Sequence, residues 1–179
     1  MVVLSIVLFV FVFLLNTTAK LSVCSLMFVL SALVTNVITD LYGKRNATNI
    51  LLVCIAISIA LMWQNLSFML VASFISLFIS LHFSMSTLEA LQPIFKRQFH
   101  IENFTALFNC SLIDSSIIAI SLMKQTSFSN ALIVGLKDFI FKMSYTSVIC
   151  FVLLAVFGFL RQRKYHLRSN KLIAFIINH

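Results

Sequence analysis

Hydrophobic residues in this chain fall into six runs separated by short polar breaks: Val2–Leu15, Leu21–Ile38, Ile50–Trp63, Leu66–Leu81, Phe104–Met123 and Leu132–Leu160. An α-helix rises 1.5 Å per residue, so about 20 residues cross the hydrocarbon core of a bilayer, with a working range near 17–25. The first and third runs are short at 14 residues each, and the sixth is long at 29. Flanking Asn, Thr and Gln residues extend the short runs, and tilt or local thinning absorbs the rest of the mismatch. The pattern predicts an all-α bundle of six transmembrane helices over residues 2–15, 21–40, 49–64, 66–84, 103–123 and 132–160. These form one domain, residues 1–163, followed by a basic tail, 164–179. Val2–Leu15 also has the length of a signal-peptide core, with Thr17-Thr18-Ala19 small enough for cleavage, but no positive charge precedes it.

Composition agrees with a membrane setting. The 179 residues are 61% hydrophobic and 10% charged, where soluble domains carry about 25% charged residues. The chain reads as an integral membrane protein with no soluble domain of useful size.

Charge then sets the expected orientation. With six spans, one side holds Lys44, Arg45, Lys96, Arg97 and the tail residues Arg161, Arg163, Lys164, Arg168 and Lys171, while the other holds Lys20 and Lys124. Nine against two is a positive-inside bias that places both ends of the chain in the cytoplasm of a cell whose inner (plasma) membrane holds the protein. The basic tail therefore reads as a lipid-facing anchor, and nucleic acid is not an expected partner. The longest connection, Ser84 to Asn103, reads as a cytoplasmic loop that is partly helical before Pro93 and broken there.

Polar residues inside the runs are the candidate chemistry, because an ionisable group at bilayer depth costs about 2.5–3.5 kcal/mol on insertion scales and faces the bundle interior. Asp114 sits in the middle of the fifth run, with Ser111, Ser115 and Ser121 on its half of the helix. Asp138 and Lys142 on the sixth run are spaced for an i,i+4 ion pair with the acid first. That pair is either self-neutralised or available to a ligand. Asp114 either lines a site or holds helices together through Lys142 or Lys137. On the second run Asn36 lies deeper than Asp40 and is either site-facing or part of a polar helix end that Gly43, Lys44 and Arg45 close. Ser73, Ser76, Ser80, Ser84 and Thr87 form one stripe on the fourth run, serving helix packing or lining a cavity.

Other chemistries lack their residues. Cys24, Cys54, Cys110 and Cys150 lie on four different runs without metal spacing, so they read as small buried hydrophobes, and no metal or cofactor is expected. There is no H-E-x-x-H, no G-x-S-x-G and no glycine-rich phosphate loop among three glycines. A membrane enzyme working on lipid or prenyl substrates needs acids or histidines clustered near one face. Here five acids are spread over four segments, so the chain does not read as an enzyme.

Three ordered segments resemble the queuosine precursor transporters, also called vitamin uptake transporters. They are Thr35-Asn36-Val37-Ile38-Thr39-Asp40-Leu41-Tyr42-Gly43-Lys44-Arg45; Ala72-Ser73-Phe74 with the later Ser111-Leu112-Ile113-Asp114; and Asp138-Phe139-Ile140-Phe141-Lys142. The chain departs from that family at Asn36, Leu81, Ser84 and Ser111, where an acid, a Gln, an Asp and a Gln or Asn are common. The resemblance implies a six-helix fold similar to vitamin-binding S-component subunits and import of a deazaguanine base that feeds tRNA modification. It implies a substrate site drawn from Asp114, Lys142, Asn36, Ser111, Asp138 and Ser73, with Phe141 or Tyr145 stacking on the base. Energy would come from a gradient, from metabolic trapping or from a separate ATPase partner. In the nearest alternative the chain is the substrate-binding subunit of a multi-component vitamin importer; a non-transporting assembly subunit is the other.

Overall fold

The computed structural model describes the backbone of residues 1–94 and 99–177 and the side chains of 1–64, 66–94 and 101–155. Six α-helices follow one another: α1 Val2–Thr17, α2 Leu21–Tyr42, α3 Lys44–Leu61, α4 Phe68–Leu91, α5 Phe99–Leu122 and α6 Phe128–Ile177. A single 3-10 turn, Trp63–Asn65, joins α3 to α4. No strand occurs among the described residues. Five of the helices, α2 to α6, contain segments long and apolar enough to cross a membrane, and α1 is a shorter apolar helix.

Helix ends follow local chemistry. Gly43 ends α2 at a φ of 81°, in a region that residues with a Cβ rarely adopt, and its N–H donates to the Thr39 carbonyl at 2.9 Å. Ser67 caps α4 by accepting the Leu70 N–H at 3.2 Å. Pro93, with no N–H and a restricted predecessor, follows the end of α4 as expected. Other boundaries differ from expectation. The helix α4 continues past Ser84 to Leu91 because Met85 and Leu88 keep burying apolar surface, and α5 already begins at Phe99. The connection from Ser84 to Asn103 is thus helical before Pro93 and broken there, as expected, and its last part belongs to α5. Likewise α3 starts directly after Gly43 and not near residue 49, with Ala47 and Leu51 buried. Lys96, Arg97 and the side chains of the tail 164–179 lie outside the described residues.

The helix α2 is the centre of the bundle and packs against each of the other five. Its buried face carries Phe28, Val29, Ala32 and Ile38 beside Ser25, Ser31, Thr35 and Asn36. Burial is inverted relative to a water-soluble protein. Ile57, Ile75, Ile79, Ile133, Ile140 and Phe151 point outward, while Asp114, Asp138, Lys142, Asn36 and Asn103 are buried. Such an exterior suits lipid, which solvates apolar side chains and leaves the bundle interior as the place for polar ones.

Polar contacts fix the ends. At one end, here the Lys44 end, the Met1 amine donates to the Tyr42 hydroxyl at 2.9 Å, Lys44 donates to Ser86 at 2.8 Å, and Gln92 donates to Asp40 at 3.0 Å. Near the other end of α1, Asn16 accepts from Ser73 of α4 at 2.9 Å. The short helix α1 thus runs from the Lys44 end to the level of Ser73.

Candidate functional site: a buried ionic cluster

Helix α5 carries Asp114 about two turns inside its end, and α6 brings Asp138 and Lys142 to the same level on one face. Close approach of these two helices depends on Gly135. A Cβ there would meet the Ala119 Cβ at 2.7 Å and the Ser115 carbonyl oxygen at 3.3 Å. Small residues at such a crossing let two backbones pack tightly in a membrane.

The Lys142 ammonium bridges the two carboxylates. It donates to Asp114 Oδ2 at 2.5 Å and to Asp138 Oδ2. All three side chains are buried, with Lys142 2% exposed, Asp138 4% and Asp114 6%. Three serines complete the shell. Ser76 of α4 donates to Asp114 Oδ1 at 2.5 Å, Ser25 of α2 donates to Asp138 Oδ1 at 2.6 Å, and Ser115 of α5 donates to Asp138 Oδ2 at 2.7 Å. Charge pairs of this kind persist in a low-dielectric interior when further hydrogen bonds support them, and the serines supply one to Asp114 and two to Asp138. The ammonium also lies 4.5 Å from the centre of the Phe28 ring, within cation–π range.

Beside the cluster is a pocket of about 180 Å³. Asp114, Asp138 and Lys142 give it one charged wall; Phe28, Cys24 and Ser73 are on its other sides. A larger groove of about 460 Å³ lies between α1 and α3, but its lining is apolar apart from Ser5 and Asn49. No charged side chain lines it, nor a third pocket of about 340 Å³ between α5 and α6 whose polar lining is Ser115 and Ser116, so the smallest of the three is the one with a charged wall.

Of the residues expected at a site, Asp114, Asp138, Lys142 and Ser73 line this one pocket. Asn36 does not. It lies about three turns from Ser25 along α2 and belongs to a second buried network, donating to Asn103 Oδ1 at 2.6 Å and accepting from Ser84 at 2.9 Å. Ser111 is buried one turn from Asp114 and makes no hydrogen bond through its hydroxyl. Phe141 is turned outward and exposed, so the ring at the pocket is Phe28, while Tyr145 packs partly buried against the apolar core. Asp138 pairs with its local lysine, and that lysine also reaches Asp114 and so ties α5 to α6. The α4 stripe divides similarly, with Ser76 on Asp114 and Ser80 bonded back to its own helix. Sequence reasoning missed Ser25 and Phe28. Serine at a helix start and one phenylalanine among 19 carry no signal that separates them from packing residues. Cys54, Cys110 and Cys150 are buried free thiols, as expected of small apolar side chains. No group of three His, Cys, Asp or Glu side chains suited to a metal occurs among the described residues.

An outward apolar surface, spanning-length helices and an ionic cluster at their centre define a multi-pass helical membrane protein. No family model, curated protein or solved structure matches the chain.

Proposed function

We propose that this protein is a membrane carrier importing a deazaguanine base, with Asp114 and Lys142 as the principal substrate contacts. The observation that carries this reading is the convergence of Asp114, Asp138 and Lys142 on one small pocket inside an apolar bundle. A pocket of about 180 Å³ lies below the roughly 300–1,000 Å³ of sites for drug-sized ligands, which favours a compact ring over a lipid or prenyl chain. A deazaguanine offers a ring N–H and an exocyclic amine side by side, and a carboxylate accepts such a pair in bidentate fashion. Asp114 retains lone pairs beyond those given to Ser76 and Lys142, because a carboxylate has about four acceptor sites. Lys142 meets the carbonyl edge of the base, and Phe28 and Ile118 supply apolar faces.

In this reading α1 is the sixth crossing, since it connects the Tyr42 level to the Ser73 level. The Lys44 end is then cytoplasmic by the positive-inside bias. Binding of several deazaguanines and ordinary purines to the purified protein tests the assignment. Expected is deazaguanine binding that weakens at least about tenfold, or 1.4 kcal/mol, in Asp114→Asn. Unchanged affinity in that variant, or no base bound by the wild type, would overturn it.

A further inference from the structure

Charge in the cluster does not balance: two carboxylates face one ammonium. No second cation reaches them among the described residues. Lys137 is exposed on α6, and Lys124 lies 4.8 Å from the Phe68 ring centre. The other titratable groups near the cluster are thiols, Cys24 on α2 and Cys110 on α5, with Tyr145 further along α6. From α4 only hydroxyls face it, and α1 contributes the amide of Asn16 through Ser73. An uncompensated buried charge costs several kcal/mol. A proton on one carboxylate removes it.

The serines are placed to let a carboxylate take that proton without losing a partner. Ser76 Oγ is 2.5 Å from Asp114 Oδ1 and 3.3 Å from the Asp114 main-chain carbonyl. Ser25 Oγ is 2.6 Å from Asp138 Oδ1 and 2.9 Å from the Leu21 carbonyl. A hydroxyl has one hydrogen and two acceptor pairs. With the carboxylate ionised, the serine donates to it. With the carboxyl protonated, the serine turns its hydrogen to the main-chain carbonyl and accepts from the acid.

A separate observation lies on the Lys44 side of the cluster. Ser111 and Thr146 sit one turn from Asp114 and Lys142 respectively, on antiparallel helices and thus on the same side. Both hydroxyls are fully buried with no hydrogen-bond partner, and so is the Asn103 Nδ2 beyond them. Buried polar groups without a protein partner are rare, and a functional role is one of the explanations they call for. Ser84, Asn36 and Asn103, bonded to one another, lie about two turns further on, so these groups make a discontinuous polar seam toward the Lys44 end.

We infer that the Asp114–Lys142–Asp138 cluster binds one exchangeable proton, passed along this seam, and that import is coupled to it. The coupling half rests on the carrier reading; the proton site does not. Infrared titration of the purified full chain, without substrate, reads the site directly. Expected is a protonated-carboxyl band of about one group per chain that shifts in Ser76→Ala or Ser25→Ala and disappears in the Asp114→Asn, Asp138→Asn double variant, with helix content checked in each. No titrating band in the folded wild type, or an unchanged band in the double variant, would overturn the proton site. In proteoliposomes, a gradient of about one pH unit, acid on the side opposite the Lys44 end, should raise deazaguanine accumulation about tenfold for one proton per base. Accumulation indifferent to the gradient would overturn coupling. A band without any base uptake would leave the proton site standing and remove the carrier.

Discussion

Lys142 holds the interior together more than either acid does. Replacing it with methionine leaves Asp114 and Asp138 buried at one point without a counter-charge, whereas Asp114→Asn or Asp138→Asn leaves a balanced pair. Breaking a buried pair from one side costs about 3–5 kcal/mol, which for a chain of this size lowers Tm by roughly 10 °C. Thermal unfolding in detergent should therefore rank Lys142→Met far below both asparagine variants. Equal Tm values would mean that the cluster is not the ionic unit described. Asn36 is expected to behave differently. Asn36→Leu strands Ser84 and Asn103 and should cost about 1–3 kcal/mol while leaving base affinity intact; a loss of affinity at constant stability would bring Asn36 back to the pocket. The three charged residues were legible because a charge inside an apolar run has few explanations. Ser25 and Phe28 were not, and Ser76 was legible only as one of a stripe, since their roles depend on which helix stands opposite, and spacing along one helix does not carry that.

Between helices, the decisive contact is the α5–α6 crossing at Gly135. A methyl group there meets the short, stiff side chain of Ala119, so the helices must move apart. Gly135→Ala should lower stability by about 1–3 kcal/mol, as overpacking does, and loosen the Ser115–Asp138 bond beside it. A fully stable Gly135→Ala protein with unchanged base binding would show that this crossing does not set the site. Helix existence was readable from the six runs, and two ends, at Gly43 and before Pro93, followed from residues with restricted backbones. The remaining ends were not. Helix α4 extends to Leu91 through Met85 and Leu88, whose burial depends on neighbouring helices; the hydropathy of one segment alone stops near Leu81.

At the scale of the molecule, polar residues inside and apolar residues outside suit the bundle to lipid, and the proposed sixth crossing is α1, whose ends bond to Tyr42 and Ser73. Single-cysteine reporters at Val2 and Lys20, on either side of α1, in a chain whose four native cysteines are replaced should label from opposite faces of sealed vesicles; labelling from one face would refute that topology. The number of runs was evident in the sequence, but the central position of α2 was not, because nothing along one chain says which helix touches the rest. Uptake of a labelled deazaguanine by vesicles containing this protein alone tests the central claim most directly. Expected is saturable uptake above empty vesicles that falls at least about tenfold in Asp114→Asn while the variant stays folded. No uptake by the wild type, or equal uptake by the variant, would contradict it.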